Sequence, residues 1–503
     1  MPATIAQKVY DYKMPAVKTK LVSAFRKRRN ESTIADLVAA TGLPKYQVEQ
    51  ASRVVLDEYG GHCRVTESGE ILYYFPRGMH NRITGFGPRA RRFLRAFLSV
   101  LGRVLAFLFK IWIVAMLVGY FVLFLAIVVA AVALSIAASA SSRSSSRRRG
   151  GFGAFYLVIR LLEFFLRIFF WVNLTKAMDP SKPVKKGRPF YKSVFGFVFG
   201  DADPNAEWEV NERIRVISFI RANKGVITDE ELAALTGRTA EGSRLLINSF
   251  LVEFEGEPSV TDQGSLYYFF PELLRTRREE LLAADVTTVT ETEYKALVPF
   301  SANKGGTNGL IFFFNAFNLA FGSYFTWAAA QHLATGTLGA PGGLDGLYQI
   351  VNVLLCQQVL GIPDPTILIL AVLGLVPLSF SAVFFLLPLI RKMRLRGINE
   401  TIKRENLRKR IYGSLHYHPL AVDPRTIHPS SAEEDPRNSV VFIQKTIDRL
   451  AADRRAEIEK SETGAALYNF EELKREIEDI ARLRQSIDPG KYDVGKTIFD
   501  TNE

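Results

Sequence analysis

Val65-Thr66-Glu67-Ser68-Gly69-Glu70-Ile71-Leu72-Tyr73-Tyr74-Phe75-Pro76 and Val260-Thr261-Asp262-Gln263-Gly264-Ser265-Leu266-Tyr267-Tyr268-Phe269-Phe270-Pro271 are two versions of one pattern. In each, β-rich runs flank a glycine-bearing turn, which predicts a hairpin. Outward from there, residues 35–76 align without a gap onto residues 230–271, an offset of 195. Leu37, Ala39, Thr41-Gly42 and Glu58 fall on Leu232, Ala234, Thr236-Gly237 and Glu253. Self-similarity of this length governs the parsing of everything else.

Upstream of the second hairpin, Arg213 to Asn223 is apolar-periodic, and Thr228 stands as an N-cap before Asp229-Glu230-Glu231. Acids in a first helical turn are favoured by the helix dipole, and Gly237 suits a left-handed C-cap. A third helix is expected near Ala240–Val252. Three helices and a hairpin make a winged-helix layout, and the first copy repeats it.

Such modules usually read DNA, but the charge here argues otherwise. Lys45 and Arg53 stand against Glu49 and Asp57 in the first candidate recognition helix, and Arg244 against Glu241 in the second. Residues 206–275 hold seven basic side chains against twelve acidic ones, too few cations to neutralise phosphates. Nucleic acid is therefore an unexpected partner. The net charge of +13 lies elsewhere, beside the apolar segments.

Ile111–Ala137 has no charge over more than the roughly 20 residues a crossing helix needs, and two further apolar stretches begin near Gly309 and Thr366. Arg89, Arg91, Arg92 and Arg95 precede the first block, and Arg391, Lys392, Arg394 and Arg396 follow the last. Basic flanks of this kind orient helices and attract anionic headgroups of the lipid bilayer. They predict a bacterial inner membrane or its equivalent, with the soluble domains on the cytoplasmic side. The stretch from Ala154 to Leu174 carries Arg160, Glu163 and Arg167 on one helical face, as an ion pathway or as a structural or interfacial stripe. Two arrangements fit the first block: spans at 111–137 and 154–174, or a hairpin within 94–138 with 154–174 in the membrane plane. Between the later spans, Leu347–Leu360 carries four side-chain amides, which fits a surface or re-entrant helix.

The parse is thus residues 15–80 and 206–280 as winged-helix-like copies and 90–175 and 305–390 as membrane blocks. Residues 176–205 form a basic linker with a membrane-proximal motif, and 391–503 a charged helical tail. In the tail, helices are expected at Ser439–Lys460 and Phe470–Ile487. Phe470, Leu473, Ile477, Ile480 and Ile487 form an amphipathic stripe suited to a partner helix or to packing on the modules.

Catalytic signals are weak. Lys304-Gly305-Gly306-Thr307 lacks the order of a phosphate loop. His416, His418 and His428 lack a fourth ligand, and Cys63 and Cys356 cannot build a cluster or a Cys-rich zinc site. No cofactor or metal is expected. A last motif, Ser193 to Asn205, sets the apolar anchor ending at Phe199 before Gly200-Asp201 and the turn signal Asp203-Pro204-Asn205. It resembles a motif in a family of uncharacterised multi-spanning membrane proteins of cyanobacteria and plastids, in which the hairpin pattern also recurs. The resemblance implies a mainly α-helical polytopic architecture and no particular chemistry. The expected function is an interaction or scaffold protein that binds a protein partner or forms a homo-oligomer. A membrane-tethered DNA-binding regulator and a channel or carrier are the alternatives.

Overall fold

The computed structural model describes residues 12–28, 31–76, 78–80, 86–141, 188–276, 293–337, 345–427, 436–460 and 464–502. It is mainly helical and divides into two compact units. One comprises Met1–Arg92, Asp203–Val298 and Gly397–Glu503, the other Phe93–Ala202 and Pro299–Arg396.

In the first unit, helices Met14–Lys27, Ile34–Thr41 and Lys45–Tyr59 precede strands His62–Thr66 and Ile71–Tyr74. Short strand Glu31–Ser32 pairs antiparallel with the second of these. The same elements recur at the 195-residue offset: helices Trp208–Ala222, Asp229–Thr236 and Ala240–Glu253, strand Val226–Ile227, and hairpin strands Glu257–Val260 and Leu266–Phe269. The caps recur as well. Thr33 and Thr228 each accept a backbone bond from the N3 residue of a capping box, and Gly42 and Gly237 end these helices at φ of 62° and 68°. The two sets share one apolar core, in which Leu21, Phe25, Leu37, Ile217, Phe219, Leu232, Phe250 and Phe270 are sealed from solvent.

The tail departs from the expected pair of helices. Helix Pro436–Asp453 is closed by Arg455, whose φ is 50°, and the chain continues as strand Glu457–Lys460, paired antiparallel with strand Ala466–Asn469. Helix Glu471–Ser486 follows. Charged residues with good helix propensity disguise the first strand, although Glu457-Ile458-Glu459 alternates with period two. These elements have a core of their own, in which Ile411 and Leu415 from the end of helix Val376–Tyr417 meet Ile443, Ile447, Tyr468 and Phe470. Val422 bridges Tyr468 as Ile227 pairs with Tyr268, and Gly464, Tyr468 and Phe470 stand 200 residues after Gly264, Tyr268 and Phe270. The tail therefore contains a third module. Where the second helix belongs, the described residues show only the turn Pro424–Thr426.

In the other unit, helix Phe86–Ser141 is unbroken, which removes the hairpin arrangement within 94–138. Among the described residues, Phe97–Ala133, Thr307–Thr335 and Thr366–Tyr417 are long and apolar enough to cross a membrane. The amide-rich stretch forms a helix over Asp345–Gln349 that continues as a π-helix to Val359, and a second π-turn, Leu370–Leu375, lies just before Pro377. Phe121 packs its ring against Phe314 and Phe317, and Phe124 stacks against Phe321 and Phe325. Asn315 donates to the Ser381 carbonyl at 3.0 Å and Asn318 to the Leu117 carbonyl at 2.8 Å, fastening three helices by bonds that have no competitor in an apolar setting. Small residues let the backbones close up: a Cβ on Gly322 would lie 2.9 Å from the Leu378 nitrogen, and one on Gly374 3.0 Å from that of Thr326. Gly322→Leu is thus expected to cost about 1–3 kcal/mol by overpacking. Thermal unfolding of the detergent-solubilised protein checks this, and an unchanged midpoint would remove the glycine contact as a constraint.

Candidate functional site

In the first unit, one module meets the next through buried polar groups. Asp36 is the N3 acid of its capping box and is 3% exposed, so its charge needs a partner inside the protein. Arg221, from the first helix of the second module, donates to Asp36 at 2.7 Å, and Thr276 Oγ1 donates to it at 3.2 Å. At the other end of the same short helix the fit requires a glycine: a Cβ on Gly42 would sit 2.8 Å from the Val210 carbonyl oxygen and 2.9 Å from Ile214 Cγ1. A third contact closes the interface. Glu253 accepts the Lys45 backbone N–H at 2.6 Å and pairs with Arg213, so a carboxylate sits on the first turn of helix Lys45–Tyr59 beside an arginine.

The second module meets the third in the same way. Gly237 packs against the Glu405 carbonyl and Lys409, which stand 195 residues after Val210 and Ile214. Arg408, the counterpart of Arg213, donates through Nε to the Gly237 carbonyl at 2.7 Å. The buried acid is now Glu231, and its cation comes from a new source. Arg484, in the helix after the third hairpin, grips both Glu231 oxygens at 2.8 and 2.7 Å and reaches the Val226 carbonyl at 3.1 Å. The position equivalent to Arg221 is His416.

The chain end ties these modules together. Strand Thr497–Asp500 adds antiparallel to His62–Thr66, making the four-stranded order in which it occupies the outer edge of the first hairpin. Asp500 accepts from Tyr74 at 2.5 Å and from Arg64 at 2.7 Å. Those bonds, first from Tyr74 and then from Arg64, hold its carboxyl down at about 2. An extended strap is clamped by asparagines that imitate peptide groups. Asn205, Asn399 and Asn406 each exchange both amide bonds with one residue, respectively Ala296, Val298 and Lys295.

The motif from Ser193 to Asn205 divides between the two units. In the apolar one, helix Phe190–Phe199 ends at Gly200, and Phe199 packs on the rings of Phe195 and Phe109. Asp201 binds Arg188 through both oxygens and accepts the Ala302 N–H at 2.6 Å, and the arginine bonds hold its carboxyl below the usual range. Arg391 donates to the carbonyls of Gly196, Phe197 and Phe300 and lies over the Phe300 ring. In the other unit, Asp203 caps the Asn205 N–H at 2.9 Å, while Pro204 sits exposed in the turn.

Of the other residues singled out from sequence, Arg160, Glu163 and Arg167 lie outside the described residues. Phe470 and Leu473 belong to the third module's core, Ile477 packs against it, and Ile480 is buried. Lys304 and the glycines after it lead into helix Thr307–Thr335, with Thr307 Oγ1 donating to the Lys304 carbonyl. His416 is half-buried, His418 is exposed, and His428 lies outside the described residues. No three metal-ligating side chains converge among the described residues.

The chain is similar to an uncharacterised chloroplastic protein of Arabidopsis thaliana, 24% identical over 296 residues that cover 56% of this chain and 54% of the relative. It thus spans about half the length of the curated relative it matches. This likeness supports a plastid and cyanobacterial family of uncharacterised proteins. No family model matches the chain. No solved structure matches it either.

Arg221→Met removes the nearer of two arginines on Asp36 and leaves Arg28 at 3.6 Å, so it is expected to cost about 1–3 kcal/mol, and Arg221→Met with Asp36→Asn recovers part of that loss. Denaturant unfolding of the solubilised chain measures both, and equal losses would show that the pair is not coupled. Asp500, held at about 2 against about 3.9 in an unfolded chain, stabilises strand docking above about pH 4 and loses that effect as pH falls through 2. Amide protection over 497–500 should accordingly be flat from neutral pH to about 4 and fall below it. In Asp500→Asn it should be weak throughout, and protection equal to wild type would remove the carboxylate from the latch.

Proposed function

We propose that this chain is a membrane-anchored scaffold of plastids and cyanobacteria, built as three winged-helix-like modules stacked head to tail. The observation that carries this reading is the repeated interface: Gly42 against Val210 and Ile214, Gly237 against Glu405 and Lys409. Successive modules joined through equivalent surfaces form an array whose remaining faces are available to partners. The three long apolar helices among the described residues attach it to the bilayer, and basic flanks engage anionic headgroups. The buried Arg221–Asp36 pair between the first two modules supports a reading in which both face one compartment.

Charge and occupancy weigh against DNA binding. The first hairpin's outer edge carries the acidic end of strand Thr497–Asp500, and Arg64, the basic residue there, is paired with Asp500. Lys45, at the start of that module's third helix, is paired with Glu255 and Glu272. Gel shifts with the full chain in neutral detergent should show no retained duplex even at low salt, and salt-sensitive retention would restore the regulator reading.

Affinity purification from gently solubilised membranes, followed by mass spectrometry, is expected to recover a second polypeptide in stoichiometric amount. Recovery of the bait alone, in a particle that conducts solute across a sealed bilayer, would replace the scaffold with a carrier.

A further inference from the structure

The two module interfaces differ in one respect that points to a ligand. In the first, the backbone N–H of Lys45 and the Arg213 guanidinium both hold the Glu253 carboxylate. The counterparts in the second are Ala240, Arg408 and Asp453. Asp453 is one methylene shorter, and among the described residues it makes no hydrogen bond or ion pair with Ala240 or Arg408. Instead, a cavity of about 880 Å³ opens there, lined by all three residues.

This cavity has the makings of an anion site. Helix Ala240–Glu253 points its first turn into it, with Thr239 as N-cap accepting the Gly242 N–H at 3.2 Å. Helix starts of this kind attract phosphate and carboxylate. Arg408 is anchored through Nε to the Gly237 carbonyl, which fixes the direction of its fork. Arg404, Lys445 and Arg449 also line the cavity and have no carboxylate partner among the described residues. Lys403 is paired with Glu400, and Glu241 and Asp453 are the other acids, so cations exceed carboxylates five to three. Leu407, Tyr412 and Phe442 supply an apolar wall.

We propose that this cavity binds a phosphate-bearing molecule, with the phosphate on the first turn of helix Ala240–Glu253 and on Arg408, where the preceding interface holds Glu253. Arg404, Lys445 and Arg449 neutralise the remaining charge, and an organic portion rests on Tyr412 and Phe442. The volume lies in the range of small-molecule sites, about 300–1,000 Å³. The phosphate can come from a soluble organic phosphate or from a phospholipid headgroup. This inference uses the module interface and does not depend on the scaffold reading.

The test uses the full chain in phosphatidylcholine nanodiscs, titrated with inorganic pyrophosphate and read by thermal melting and calorimetry. A parallel arm replaces part of the lipid with phosphatidic acid. A saturable rise in melting midpoint with pyrophosphate identifies a soluble source, and a rise confined to the phosphatidate discs identifies a headgroup. In either arm, Arg449→Glu should weaken the apparent affinity at least tenfold, and Asp453→Asn, which removes a carboxylate from the cavity, should strengthen it. Lys20→Glu, an exposed change in the first module, serves as the charge control. No saturable shift in either arm, or shifts unchanged by Arg449→Glu and Asp453→Asn, would overturn the site. The opposite signs expected for those two variants separate binding from loss of folding.

Discussion

The modules depend on a buried acid at the start of a short helix and a glycine at its end. An acid at N3 completes the capping box, and once the next module covers it, it must find a cation or raise the free energy of the fold by several kcal/mol. Asp36 finds Arg221, and Glu231 finds Arg484. Glycine at the far end permits the left-handed turn and lets a neighbouring backbone come within van der Waals range, which a Cβ would block. One eight-residue helix thereby ends a local structure and joins two modules.

Head-to-tail packing is heterologous, so nothing in its geometry closes it. In the third module the described residues show the turn Pro424–Thr426 where the short helix of the other two begins. Its own first helix carries His416 where the second module has Arg221, and the chain end compensates by doubling back with Arg484. The same return covers an open hairpin edge with strand Thr497–Asp500, a common protection against strand pairing with other chains. The peptide-like clamps by Asn205, Asn399 and Asn406 give the strap near residue 296 a similar ladder without a strand on either side.

The apolar unit is held by a different balance. Its helices gain little from hydrophobic burial if their outer faces meet lipid, so close approach at Gly322 and Gly374, ring stacking and the bonds of Asn315 and Asn318 take over. At its basic end, Arg391 satisfies three carbonyls left open near Gly200 and Phe300, while Asp201 holds Arg188 and the Ala302 amide. The motif around Gly200 is in this sense a fastening of backbone ends.

Local pattern makes the paired modules, their caps and the apolar helices legible, because helix caps, glycine turns and hydrophobic runs act over a few residues. The third module is harder to see: Tyr468 and Phe470 keep the hairpin pattern, but the offset changes from 195 to 200 and its first strand is built from residues that favour helix. Strand addition by Thr497–Asp500, the pairing of Asp36 with Arg221 across 185 positions, and the cavity at Arg408 were decided only by the tertiary structure. They depend on which surfaces the folded modules bring together, and no local rule of charge or periodicity encodes that.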